Sequence, residues 1–266
     1  MKESVGIEKK NREYLDLVNR SFAGPFTINE AAEVLHFEYK KAKRFTAYLA
    51  SRGWLARVKN GYYKTVPLGT LDPFELKEDP WVLADKVYAP CYIGGFSACS
   101  YWGLTEQVFK DTVVFTEKKA TGRIPAGFLV KSIPSKRMYG LSPAWINNVK
   151  VSVSDPSRTI IDMLNEPAIG GGIRNVSDVI VEYFLSEHRN DEALIKYCGA
   201  FGNRVIYKRL GYLLEALKIE APALLKECST GISSGFSMLD PSIKTKGRYL
   251  KKWNLNVNAL IKRESK

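Results

Sequence analysis

The stretch RGWLARVKNGYYKTVP, residues 52–67, constrains the fold more tightly than any other part of this sequence. Asn60-Gly61 sits between two β-prone runs. A two-residue type I′ turn needs positive φ at both central positions, which Asn and Gly tolerate best. Such a turn sets the register: Lys59 opposite Tyr62, Val58 opposite Tyr63, Arg57 opposite Lys64 and Leu55 opposite Val66. Alternation then places Arg57, Lys59, Tyr62 and Lys64 on one face, with Val58 and Tyr63 on the other. Arg57 facing Lys64 is a destabilising like-charge pair. The expectation is that something outside the chain neutralises it.

The sequence before the hairpin reads as three helices. Tyr14, Leu15, Leu17 and Val18 give the first an apolar stripe, and Gly24-Pro25 closes its connection. In TINEAAEVL, Thr27 stands three residues before Glu30 as a capping box, and Ala31, Ala32, Val34 and Leu35 form the buried side. The third helix, EYKKAKRFTAYLASRG, has a core stripe of Ala42, Phe45 and Leu49. Tyr39, Lys40, Lys43, Arg44 and Ala47 fall on its opposite face. Helix, helix, basic helix and hairpin is the order of a winged helix-turn-helix, whose second motif helix meets base edges in the major groove. The rival reading is a small helical subdomain with a solvated lysine face.

Charge distribution favours the first reading. The net charge of +12 is concentrated at the ends: residues 1–66 hold 13 Lys/Arg against 7 Asp/Glu, and residues 242–266 hold 8 against 1. The middle of the chain is close to neutral. Residues 39–66 alone carry eight basic side chains and no acidic one, the footprint expected for a polyanion such as double-stranded DNA. In the second basic stretch, Lys244, Lys246, Arg248, Lys251 and Lys252 interleave with Tyr249 and Trp253, which suits phosphate contacts with stacking. Equally, Trp253, Leu255 and Val257 read as alternating core positions on a strand whose outer side the lysines coat.

PLGTLDPF, residues 67–74, reads as a joint, so the expected division is a DNA-binding domain over 1–70 and a larger domain over 71–266 ending in the basic tail. The second part mixes helices (Pro73–Val87, Ser97–Gly103, then PSRTIIDML, VSDVIVEYFL, DEALIKYCGAF and NRVIYKRLGYLLEAL) with strands at 112–117, 127–133 and 149–153 and near GFSML and KKWNLNVN. The fold class is therefore α+β, mixed α/β. No apolar run reaches membrane-spanning length, and MKESVGIEKKNREY lacks a signal-peptide core, so a cytoplasmic location without membrane contact is expected.

Signs of catalysis are sparse. There is no phosphate-binding Gly-rich loop, and Gly170-Gly171-Gly172 is not a dinucleotide fingerprint. Cys91, Cys99, Cys198 and Cys228 lie too far apart for a C-x-x-C site. His36 reads as a turn or core residue and His188 as a solvated helix end. Asp111, Glu117 and Lys119 resemble the acid, acid-x-Lys order of Mg²⁺ nucleases, although one strand would have to supply both carboxylates. In DPSRTIIDML, Asp155 is an N-cap, Pro156 the first helical residue and Arg158 a first-turn cation. In the later helix, Arg204, Lys208 and Arg209 are expected on the exposed side, with Val205, Leu210 and Leu213 buried. No enzyme activity, cofactor or metal is expected.

RGWLARVKNGYYKTVP, YIGGFSACSYWGLTEQ, DPSRTIIDMLN, GGGIRNVSDVI and FSMLDPSIKTKGRYLKKWNLNVN together, in this order and across nearly the whole chain, resemble the AbiEi antitoxins of type IV toxin–antitoxin (abortive-infection E) systems. The resemblance implies a winged helix that represses its own operon at promoter inverted repeats, with a monomer binding cooperatively on the DNA. It also implies a C-terminal domain that counters a cognate nucleotidyltransferase toxin. By position, DNA reading would fall on Lys40, Lys43 and Arg44 with Arg57, Lys59 and Lys64 of the wing; Tyr39 and Tyr62, read on the same faces from the residues alone, complete the DNA-binding candidates. Asp155, Ser157 and Arg158 would belong to the antitoxin domain without an assigned chemical role. The rivals are a stand-alone winged-helix transcription factor whose C-terminal domain senses a ligand or dimerises, and, more remotely, the Mg²⁺ nuclease.

Overall fold

The computed structural model describes residues 7–67, 70, 78–119, 124 and 126–261. The described part of the expected joint is small, and residues 73–77 of the expected Pro73–Val87 helix lie outside it. Within the described residues, ten α-helices and three small or medium sheets make an α+β fold. The chain divides into two compact units, one of residues 1–87 with 144–151, the other of residues 88–143 with 152–266.

The first unit begins with α1 (Lys9–Ser21), β1 (Phe26–Thr27), α2 (Ile28–Leu35) and α3 (Tyr39–Ser51), followed by β2 (Leu55–Lys59) and β3 (Tyr62–Thr65). The capping box is complete: Glu30 N–H donates to Thr27 Oγ1, and Thr27 N–H donates to the Glu30 carboxylate. Only residues 36–38 separate α2 from α3, with His36 left-handed at φ 51°. Leu15, Val18, Phe26, Ile28, Ala31, Leu35, Ala42, Leu49, Leu55 and Tyr63 form the core. Leu17, expected in the stripe of α1, is instead exposed. Phe45 is half-buried in an edge-to-face cluster with Tyr14 and Phe37, at ring distances of 5.7 Å each. The strands form a sheet of order β1-β3-β2.

The expected hairpin register changes at one residue. Lys59 does face Tyr62, but a bulge at Val58 brings Arg57 opposite Tyr63, Ala56 opposite Lys64 and Leu55 opposite Thr65. A bulge adds one residue to one strand and shifts every pair beyond it. Arg57 therefore shares the face of Leu55, and Lys64 shares that of Ala56, so the expected like-charge pair is not formed.

The boundary between units falls at 87/88 rather than 70/71. Helix α4 (Pro80–Tyr88) explains the difference, because the chain at and just before it is tied back to the earlier elements. Lys64 pairs with Glu78 at 3.0 Å, and Lys86 pairs with Glu30.

The second unit contains β4 (Cys91–Ile93), α5 (Gly95–Tyr101), β5 (Thr112–Thr116), β6 (Phe128–Ser132), β7 (Leu141–Ile146) and β8 (Val149–Ser154), the tip of the last two belonging to the first unit. Their mixed sheet has the order β6-β5-β4-β8-β7. All five residues of β5 are buried, as suits an inner strand packed on both faces. Pro143 confines β7 to an edge, where a missing backbone donor is tolerated. Helices α6 (Pro156–Asn165), α7 (Ile173–Leu185), α8 (Asp191–Phe201), α9 (Val205–Ala216) and α10 (Pro222–Gly231) follow, and β9 (Ser237–Met238), β10 (Arg248–Leu250) and β11 (Leu255–Val257) close the chain as a sheet of order β10-β11-β9. Every residue of α6 from Ser157 to Leu164 is buried, so this helix lies inside the core rather than on it. Gly211 on α9 lies directly against the buried ring of Trp253, and a Cβ there would overlap the ring.

Candidate nucleic-acid interface

The sequence-derived site residues fall into four groups. On α3, Tyr39, Lys40, Lys43, Arg44 and Ala47 are exposed together, as the helical period requires, while Ala42, Thr46 and Leu49 anchor the opposite side. None of Lys40, Lys43 and Arg44 has a carboxylate partner within ion-pair distance among the described residues. Lys41, not singled out in the sequence, also projects from the first turn, with its ammonium 3.8 Å from the Phe37 ring centre. The first turn of α3 holds no acidic side chain, and its N-cap residue Glu38 makes no side-chain cap. The cluster of cations on the exposed side of the helix favours an anion.

On the hairpin, the expected residues separate. Arg57 is exposed and donates to the Asn60 side chain across the turn. Lys59 and Tyr62 are half-buried, and burial lowers the Lys59 pKa. Lys64 is turned to the almost fully buried Glu78 carboxylate, so its charge is met inside the unit. The hairpin thus offers Arg57 at the tip and Lys59 beside it, not a row of four basic and aromatic side chains.

The Asp155, Ser157 and Arg158 motif forms a buried network. Asp155 Oδ1 accepts from Arg158 N–H at 2.7 Å, and Oδ2 accepts from Tyr197 O–H at 2.7 Å. Ser157 Oγ and the Tyr183 hydroxyl are 2.8 Å apart. The Arg158 guanidinium is wholly buried: Nε donates to Asp162 Oδ1 at 3.0 Å, Nη2 to the Tyr92 hydroxyl at 2.9 Å and Nη1 to Tyr139 O at 3.3 Å. Tyr92 O–H in turn donates to Asp162 Oδ2 at 2.9 Å. Burial pushes the Asp162 carboxyl up to about 6, against the pull of Arg158 and Tyr92. The motif is therefore part of the core rather than a surface. The i, i+4 spacing of Arg158 and Asp162 on one helix was the sequence signal for this pairing.

Lys208 and Arg209 correct a second expectation. Both are buried, not solvated, while Arg204 is exposed. Lys208 Nζ donates to Gly235 O at 2.7 Å, and Arg209 donates to Leu164 O, Asn165 O and Met238 O at 2.7–2.9 Å. Burial lowers the Arg209 pKa to about 10. These cations tie the approach to β9, and β9 itself, to the helical core.

The basic tail combines both readings of its sequence. Trp253 and Leu255 are core residues, with Trp253 Nε1 donating to Glu215 Oε2 at 2.8 Å. Lys244, Lys246, Arg248, Lys251 and Tyr249 are exposed, whereas Lys252 is paired with Glu215.

The nuclease arrangement does not assemble. Asp111 and Glu117 flank opposite ends of β5, six residues apart, which in an extended strand is about 20 Å. Among the described residues, no group of three His, Cys, Asp or Glu side chains is placed to hold a metal. His36 is an exposed turn residue, and His188 lies edge-on to Trp102 at 5.6 Å. All four cysteines are buried free thiols. Among the described residues no helix is long and apolar enough to cross a membrane. Compared with known proteins, the sequence matches no protein-family model and no curated protein.

Proposed function

We propose that the first unit is a winged helix-turn-helix that binds double-stranded DNA, and that the chain is an AbiEi-type antitoxin repressing its own operon. The single observation that carries the DNA-binding part is the exposed face of α3, where Tyr39, Lys40, Lys43 and Arg44 project without acidic partners from a helix joined to α2 by three residues. Lys and Arg at such positions neutralise phosphates and reach guanine edges. Arg57 and Lys59 supply phosphate contacts from the hairpin, while Lys64 stays with Glu78. The antitoxin part rests on the ordered motif resemblance. Its DPSR element contributes by holding the second unit together, which supports a domain that acts as a folded whole against a nucleotidyltransferase toxin.

The test has two arms. Titrating the duplex upstream of the coding sequence, Lys43→Ala/Arg44→Ala should weaken binding and reduce the slope of log affinity against log salt by about 0.9 for each phosphate no longer neutralised. Lys64→Ala should leave that slope unchanged. Equal slopes for wild type and Lys43→Ala/Arg44→Ala would remove α3 from the interface. In the second arm, the protein is co-expressed with the neighbouring nucleotidyltransferase, and growth rescue requiring residues 88–266 is expected. Promoter repression without rescue would return the chain to a stand-alone regulator.

A further inference from the structure

We infer that the C-terminal sheet of the second unit is a binding platform for single-stranded RNA, separate from the duplex-binding face of α3. Phe236 and Tyr249 are 51% and 60% exposed, with ring centres 4.9 Å apart at 80°. They come from opposite edges of the sheet β10-β11-β9. The register sets Tyr249 against Asn256 and Asn256 against Met238, so these three form one row across the sheet. Phe236 stands two residues before Met238 and shares its face by alternation. Asn256, in the middle of the row, is itself buried and accepts from Gly247 N–H at 2.8 Å, and Leu239 and Leu255 at alternate positions are fully buried.

Two large rings left in water on a sheet face are costly to keep there, and these are held in place. Lys208 fixes Gly235 O at 2.7 Å, Asn254 Nδ2 fixes Ser233 O at 3.1 Å, and Arg209 fixes Met238 O at 2.9 Å. The backbone around Phe236 is thus pinned by two buried cations and an amide. Lys244, Lys246 and Lys251 are exposed on the same short segment and have no acidic partner among the described residues, whereas Arg248 alternates to the other face of β10, beside Tyr212. Asp240, the one acid between residues 233 and 257, is buried and accepts hydrogen bonds from Ile173 and Ser242. Exposed rings amid unneutralised cations suit bases that stack while their phosphates meet the lysines. Stacking requires bases out of a duplex. Unpaired bases persist in RNA loops and ends, whereas in DNA they are transient, and this selects RNA.

The inference stands apart from the function proposed above, and its test keeps the two separate. The full-length protein is titrated into a fluorescein-labelled single-stranded RNA of about 10 nucleotides, followed by anisotropy, beside single-stranded DNA of the same sequence and a duplex DNA. Phe236→Ala and Tyr249→Ala should each weaken RNA binding about tenfold, and Tyr249→Phe should stay within about twofold of wild type, because a phenyl ring still stacks. Lys244→Ala/Lys246→Ala should lower the salt slope for RNA by about 1.4. All four should leave duplex binding as it was, whereas Lys43→Ala/Arg44→Ala should lower duplex binding and spare RNA. Both rings are exposed, so truncation opens no cavity, and far-UV circular dichroism checks that each variant is folded. Unchanged RNA affinity in Phe236→Ala/Tyr249→Ala, or single-stranded DNA bound as tightly as RNA, would overturn the inference.

Discussion

Replacing Arg158 by Met tests whether the DPSR element belongs to the core. The substitution keeps much of the side-chain volume and removes the guanidinium. Asp162 then loses its 3.0 Å partner, the Tyr92 hydroxyl loses a 2.9 Å donor, and Tyr139 O loses a weaker one at 3.3 Å. The two partners of the salt bridge are 0% and 1% exposed, so no water replaces what is lost. Breaking a buried ion pair from one side costs about 3–5 kcal/mol, because an uncompensated charge remains. Counting the two short bonds instead, at about 1.5–3 kcal/mol for each bond to a charged group, gives a similar figure. Urea unfolding followed by tryptophan fluorescence reads this out, since Trp102 and Trp253 both lie in the second unit. With a denaturant slope near 3 kcal/mol/M, the midpoint should fall by more than about 1 M. Arg158→Met/Asp162→Asn should recover part of the loss, because Asn carries no charge and still accepts from Tyr92. A cost below about 1 kcal/mol for Arg158→Met, or a double variant no better than the single one, would refute the buried-pair account.

Two further outcomes follow from the same core. Gly211→Ala should destabilise by about 1–3 kcal/mol despite the better helix propensity of Ala, since its Cβ would overlap the Trp253 ring; an unchanged or raised melting temperature would contradict the close approach. Burial alone would raise the Asp240 pKa, yet hydrogen bonds from Ser242 and Ile173 hold it below the ordinary aspartate value. A folded pKa below the unfolded one contributes stability that is present above about pH 4 and lost as pH falls through the lower value. Asp240→Asn should therefore flatten the acid limb of a stability–pH curve, and curves that run parallel with wild type would sink the assignment.

What the sequence discloses and what it hides follows from the range of the physics involved. The capping box of α2, the N-cap at Asp155 and the exposed side of α3 depend on neighbours three or four residues away, and each is found as read. The hairpin register depends on one residue more: the bulge at Val58 leaves the turn intact and carries no residue type that announces it. Glu78 meets Lys64 from 14 residues downstream, so an apparent excess of charge on the hairpin is partly neutralised by a segment whose pairing no local pattern encodes. Three-residue strands such as β4 and β10 escape for a related reason, since they are too brief for alternation to show, and Pro143 masks β7.

Lys208 and Arg209 are the extreme case. On a helical wheel a Lys-Arg pair reads as solvent-facing, because an unpaired buried cation is prohibitively costly. Here the cost is met by backbone carbonyls from Leu164, Asn165, Gly235 and Met238, acceptors that side-chain patterning cannot display. The same bonds explain how the chain entering β9 can hold Phe236 in water. Cations taken out of the surface on α9 fix the strand end that presents Phe236, and the lysines left on the surface near Tyr249 remain free for phosphate. Charge in this chain thus does two different jobs within one short region, and only the carbonyls that lie opposite each side chain decide which.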